Sequence, residues 1–181
     1  FLFRNFYNGG GVAIGDINND GLADIFLTSN AGANKLYLNK GNLVFQDITK
    51  TANVTGEGEW CNAASVVDIN NDGLQDIYVS CSIKKNAGQR RNLLYINQGL
   101  NNDSLPVFKE MAADYGLADT SYTVHAAFFD YDNDGDLDMY LTVNSASASY
   151  IPNMFGPSNY SQDHSTGQLF RNDWDESDYA A

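Results

Sequence analysis

Asp16-Ile-Asn-Asn-Asp20-Gly21-Leu-Ala-Asp24 is the stretch from which the rest of this chain is read. Asp68-Ile-Asn-Asn-Asp72-Gly73-Leu-Gln-Asp76 and Asp130-Tyr-Asp-Asn-Asp134-Gly135-Asp-Leu-Asp138 repeat it. All three fit D-x-[DN]-x-D-G-x-x-D, with side-chain oxygens at positions 1, 3, 5 and 9 and glycine at 6. A hard cation such as Ca²⁺ gathers about six to eight oxygens. A loop that turns sharply at glycine can aim alternate side chains, and the carbonyl at position 7, at one point. Three copies also mark a structural repeat, with steps of 52 and then 62 residues.

The flanks repeat with the loops. A small apolar run precedes each one: residues 11–15, 63–67 and 126–129. A β-rich run follows each: Ile25-Phe-Leu-Thr28, Ile77-Tyr-Val-Ser80 and Met139-Tyr-Leu-Thr-Val143. Short runs rich in β-branched and aromatic residues, bounded by Asn, Asp and Gly, read as strands. Each acidic loop then joins two antiparallel strands. A third strand is expected in Asn34-Lys-Leu-Tyr37-Leu-Asn39, Asn92-Leu-Leu-Tyr95-Ile-Asn97 and Gly167-Gln-Leu-Phe170-Arg-Asn172, closed by Asn/Gly turns. A fourth is expected at Leu43–Ile48 and Val107–Met111, whereas the stretch after Asn172 matches no fourth strand.

Four strands per unit at this period predict an all-β chain, a β-propeller of four-stranded blades. The blades are expected at about 8–50, 60–112 and 122–175. A β-sandwich with calcium loops would not show a repeat of this length. Propellers take four to eight blades, so three predict a segment of a larger propeller, residues 1–181 forming a partial one. The chain opens on Phe1 rather than Met, which agrees with a segment and leaves export open.

These residues resemble the FG-GAP/VCBS repeat family, which shares the calcium-loop propeller of the integrin α-chain head. The resemblance covers nearly all of residues 8–172. Phe6-Tyr-Asn-Gly-Gly-Gly-Val-Ala-Ile-Gly-Asp16 and Phe128-Phe-Asp-Tyr-Asp-Asn-Asp-Gly-Asp-Leu-Asp138 look like blades of bacterial proteins of the ASPIC/UnbV type. The resemblance implies a seven-bladed parent, exported to the bacterial cell surface or beyond it, and no particular reaction. It implies about three Ca²⁺ ions, one per loop. The first would be held by Asp16, Asn18, Asp20, the carbonyl of Leu22, and Asp24. Asp68, Asn70, Asp72, the carbonyl of Leu74, and Asp76 would hold the second. Asp130, Asp132, Asp134, the carbonyl of Asp136, and Asp138 would hold the third. An EF-hand needs Glu at position 12, where this chain has Leu27, Val79 and Leu141. Zinc and copper would ask for His or Cys in the loops.

Composition agrees. The formal net charge is −13, and eleven of the 23 acidic residues lie in the three loops. One Ca²⁺ per loop would offset nearly half of the net charge. There is no basic stripe to neutralise phosphates, which argues against a nucleic-acid partner. No apolar run approaches the ~18–20 residues that span a bilayer.

Cys61 and Cys81 flank the second loop. Folding the hairpin about position 72 places residue 61 opposite about residue 83, close to Cys81. Two readings stay open: a cross-strand disulfide, which would suit an oxidising compartment, and two buried thiols. No catalytic residues stand out. His125 reads as packed or channel-facing, and Trp60 as a packing residue. The long segment from about Asn144 to Thr166 carries Tyr150, Phe155 and Tyr160 among polar residues, which would suit a glycan or peptide partner. The preferred reading is an exported, calcium-stabilised binding or scaffold module. Its partner is expected to be a protein or glycan, a surface complex, or the rest of its own propeller. The alternative is part of an extracellular propeller enzyme such as a polysaccharide lyase.

Overall fold

The computed structural model describes residues 9–82, 86, 90–143 and 167–172. Among them the structure is all-β, without helix. Sheet one runs β1 (Val12–Gly15), β2 (Asp24–Leu27), β3 (Lys35–Asn39), β4 (Phe45–Asp47). Sheet two is β5 (Cys61–Val67), β6 (Asp76–Cys81), β7 (Leu93–Leu100), β8 (Pro106–Glu110). Sheet three holds β9 (Thr123–Phe129), β10 (Asp138–Val143) and β11 (Gln168–Phe170). Every pairing is antiparallel between chain neighbours. Each acidic loop bridges the first and second strands of its sheet, as Gly15↔Asp24, Val67↔Asp76 and Phe129↔Asp138 show.

The sheets stack face to face, closest along their first strands, β1 on β5 and β5 on β9. Gly11 is required there, because a Cβ would fall 2.7 Å from the backbone of Ala63 and of Asn62. Across the next boundary Asn62 Nδ2 donates to the Thr123 carbonyl at 3.0 Å, and Ser65 Oγ to that of Ala126 at 2.7 Å. One apolar core lies between sheets one and two, around Phe26, Leu36, Leu38, Ile77, Val79 and Phe108. A second lies between sheets two and three, around Tyr78, Leu94, Met139 and Leu141. The strands are buried from both sides where two sheets meet, so all six residues of β6 are buried. The outer faces differ. Val12 is 58% exposed and Ile14 63% on sheet one, Tyr140 41% and Leu169 46% on sheet three. Single exposed apolar residues are ordinary, but a run of them at strand spacing marks a face built to pack. The molecule is therefore a partial, open β-propeller.

The cysteines meet at Cys61↔Cys81, as the hairpin nearly requires: the register of Ala63–Val67 would put Cys61 opposite Ser82, and a bulge at Asn62 moves the pairing by one residue. Their sulfurs lie 3.1 Å apart, both fully buried, as free thiols. His125 is exposed on β9 rather than packed. The segment with Tyr150, Phe155 and Tyr160 lies outside the described residues.

Candidate metal centre

Each loop is wound by its own carboxylates. The position-1 aspartate accepts backbone N–H groups from positions 5 and 6: Asp16 from Asp20 and Gly21, Asp68 from Asp72 and Gly73, Asp130 from Asp134 and Gly135. The position-5 aspartate accepts the N–H at position 7, at 2.8–3.0 Å in all three loops. Glycine at position 6 has φ of 84°, 83° and 101°, a region that costs other residues. Position 4 also enters the left-handed region, and Asn stands there each time: Asn19, Asn71 and Asn133, with φ of 55°, 56° and 64°. Asn tolerates that conformation better than most residues. Its recurrence at position 4 was visible in the sequence, and reading by ligand positions alone passes over it.

The position-9 aspartates are the most buried members, Asp24, Asp76 and Asp138 at 1% exposure or less. Each holds two chain segments. One oxygen accepts the N–H at position 2 of the loop, from Ile17, Ile69 or Tyr131; the other accepts the N–H of the asparagine ending the third-strand motif, Asn39, Asn97 or Asn172. Burial raises the Asp24 carboxyl above its ordinary range and lifts Asp76 to about 6, against the opposing pull of those N–H groups. Carboxylates buried this way gain from a cation nearby.

In the third loop, Asp130, Asp132 and Asp138 each offer a carboxylate oxygen, all within 4.8 Å of one another. The Asp132 carboxyl is raised by desolvation first and then by the charges of Asp134 and Asp138, with Arg171 3.8 Å away as a partial counter-charge. In the first two loops position 3 is Asn, and its amide Nδ2 donates to the position-5 aspartate at 2.9 Å. The bond from Asn18 is the main cause that lowers the Asp20 carboxyl. The other end of that amide is informative: Asn18 Oδ1 is buried and has no hydrogen-bond partner. A buried oxygen of this kind costs about 1–3 kcal/mol unless something satisfies it. A hard cation among oxygen donors would do so, and the donor set, all carboxylate and amide oxygen, suits Ca²⁺. The residues present fit the ion.

The loops also touch their neighbours. Asn19 Nδ2 donates to the Gly73 carbonyl at 3.0 Å, joining the first loop to the second.

Residues 4–79 match the family described as FG-GAP-like repeat. The chain is also similar to cartilage acidic protein 1 of Xenopus tropicalis, 32% identical over 143 residues, 77% of this chain and 20% of the relative. The protein of that name from Mus musculus is 29% identical over 147 residues, 79% of this chain and 21% of the relative. The chain therefore spans about one fifth of the length of the curated relatives it matches.

Proposed function

The chain carries an FG-GAP-like repeat, and from that premise we propose that it is a calcium-held part of a larger, exported β-propeller that serves as a binding scaffold and not as an enzyme. The observation that carries the reading is the convergence of Asp130, Asp132 and Asp138 on one point in the third loop. The first loop supports it through the unsatisfied oxygen of Asn18.

Asp16, Asn18, Asp20, Leu22 (through its carbonyl) and Asp24 would hold one ion. Asp68, Asn70, Asp72, Leu74 and Asp76 would hold the second; Asp130, Asp132, Asp134, Asp136 and Asp138 the third. Bound Ca²⁺ would neutralise the clustered carboxylates. The chain does the rest: the position-9 aspartate ties each loop to its third strand, so a loop held rigid holds its sheet. In an exported chain, an extracellular calcium supply would keep even weak sites filled. The buried, facing pair Cys61 and Cys81 suits the same oxidising setting.

The partner in this reading is a protein or glycan, including further blades of the same propeller. The exposed outer faces of sheets one and three support the last of these. The test is direct. Isothermal titration of metal-stripped protein should give about three Ca²⁺ per chain, and the melting temperature should rise with calcium. Stabilisation by RT ln(1 + [L]/Kd) is about 2.7 kcal/mol at a hundredfold excess over Kd. Absence of calcium binding, with identical melts in calcium and chelator, would refute the metal reading.

A further inference from the structure

A continuous line of hydrogen bonds joins the first two acidic loops. It starts at Asp76, the position-9 aspartate of the second loop, which accepts the N–H of Asn97 at 2.7 Å. The Asn97 amide donates to the Ile17 carbonyl at 2.9 Å. Ile17 donates its own N–H, also at 2.9 Å, to Asp24, the position-9 aspartate of the first loop. All four residues are 2% exposed or less, so water does not compete for these bonds.

A second line runs over the surface. The peptide unit between Gly73 and Leu74 gives its N–H to Asp72 at 2.8 Å, and its carbonyl accepts from Asn19 of the first loop at 3.0 Å. That unit is a rigid plane. One side of it faces a candidate ligand of the second loop; the other holds the residue between two candidate ligands of the first, Asn18 and Asp20. The loops also approach closely. A Cβ on Gly15, where the chain enters the first loop, would collide with the side chains of Gln75 and Val66.

We propose that the first two sites form one coupled unit, in which calcium in either loop raises the affinity of the other, and that Asn97 and Asn19 are the positioning residues that carry the coupling. The inference rests on the metal reading above and adds how two of its sites act on one another. Each ion has to fix the same groups: the Asn97 amide, the Ile17 peptide and the Gly73–Leu74 peptide. The ion that binds first leaves less for the second to order, and the effect is reciprocal. Charge opposes it. Each of these loops carries three aspartates, and an ion in one weakens the pull on the next. Asp20 and Asp72 are exposed, where salt screens that term. The line from Asp76 to Asp24 is buried and keeps its strength.

The loop glycines report on each site separately. Gly21, Gly73 and Gly135 each donate their N–H to the position-1 aspartate of their own loop, so their amide resonances follow calcium loop by loop in the full chain. Closing the first site with Asp20→Ala should raise the calcium midpoint read at Gly73 by about fivefold or more. With Asn97→Ala also present, the same closure should move that midpoint by less than about twofold. Asn19→Gly should give an intermediate factor. It lies at an exposed position whose φ of 55° suits glycine, so it keeps the test open if Asn97→Ala does not fold. Asn39→Ala, whose amide stays within its own sheet, and Asn71→Gly, at the same loop position as Asn19, should leave the full factor. The charge lost with Asp20 is the same throughout, so only the bonds distinguish these chains. An unmoved Gly73 midpoint on closing the first site, or one factor shared by all the variants, would overturn the coupling and leave the metal reading intact. If no loop glycine responds to calcium, the metal reading fails and the coupling with it.

Discussion

The side chain of Asn97 donates to the carbonyl of Ile17 at 2.9 Å, across the boundary between sheets one and two. The same residue donates its backbone N–H to Asp76 at 2.7 Å and its amide to the Gln75 carbonyl at 3.1 Å, and accepts from Gly99 at 2.9 Å. It is 2% exposed. Asn97 thus links the second residue of the first acidic loop to the last residue of the second loop. Asn39 repeats the arrangement in sheet one, with its amide on the Ala23 carbonyl and its oxygen on the Gly41 N–H, but that amide bond is exposed.

Asn97→Ala would take a hydrogen bond from the buried carbonyl of Ile17 and from the partly buried one of Gln75. At about 1–3 kcal/mol for each unsatisfied group, we expect a loss of roughly 2–4 kcal/mol in denaturant unfolding. Asn39→Ala should cost less than half as much. Calcium titrations of Asn97→Ala should also show the first two sites responding more independently of one another. Equal costs for the two replacements would show that the cross-sheet bond contributes nothing.

The repeat, the strands and the loop chemistry are legible in the sequence because they are local. A hairpin needs only its Asp, Asn and Gly at fixed offsets, and an alternating strand shows its period directly. What escapes is whatever depends on how two sheets meet. Nothing in the sequence says that Asn97 reaches Ile17, since that bond joins residues 80 apart. The bulge at Asn62 that sets Cys61 opposite Cys81 is invisible for the same reason. The dual role of Asp24, Asp76 and Asp138 is hidden differently. Spacing identifies them as oxygen donors, but only packing reveals that each also holds two backbone N–H groups.

That dual role separates two kinds of loop substitution. Asp76→Ala removes the acceptor for Ile69 and Asn97, so it should destabilise the chain even in chelator, by about 2–3 kcal/mol. Asp132→Asn removes a charge that its neighbours oppose. Its melt in chelator should be unchanged or higher, while the gain on adding calcium shrinks. Thermal melts of both variants, with and without calcium, check this; the same pattern for both would refute the distinction.

The buried cysteines predict a redox dependence. With Cys61 and Cys81 directly paired across β5 and β6 and their sulfurs 3.1 Å apart, oxidation requires little movement of the backbone. A bond closing this loop would stabilise by about 3 kcal/mol in the chain-entropy account. Protein recovered from an oxidising compartment should show no thiols under denaturing conditions, and reductant should lower its melting temperature. In the reduced form Cys81 should react slowly with alkylating reagents. Its shared hydrogen bond with Cys61, and then burial, push that thiol above its ordinary range, and the thiolate is the reactive species. Two free thiols in such protein would defeat the disulfide.

Tyr78 and Tyr95 give the pH dependence. Burial is the main cause that raises both phenols above their ordinary value of 10.0. Tyr78 donates to the Leu117 carbonyl at 3.0 Å and accepts from Asn92 at 3.0 Å, so its neutral form is the one the fold holds. A folded-state pKa above the unfolded one contributes stability that is fully present below pH 10 and is lost as the pH rises beyond it. Alkaline titration followed by tyrosinate absorbance should therefore fall short of the eleven tyrosines until the sheets unfold, and then reach the full count together with the loss of far-ultraviolet circular dichroism. Tyr78→Phe should lower stability at neutral pH by about 1–3 kcal/mol, because it strands the Leu117 carbonyl and one Asn92 proton. It should also flatten the alkaline limb, since one of the two phenols that titrate on unfolding is gone. If all eleven ionise near pH 10 with the sheets intact, neither ring is held as the packing requires.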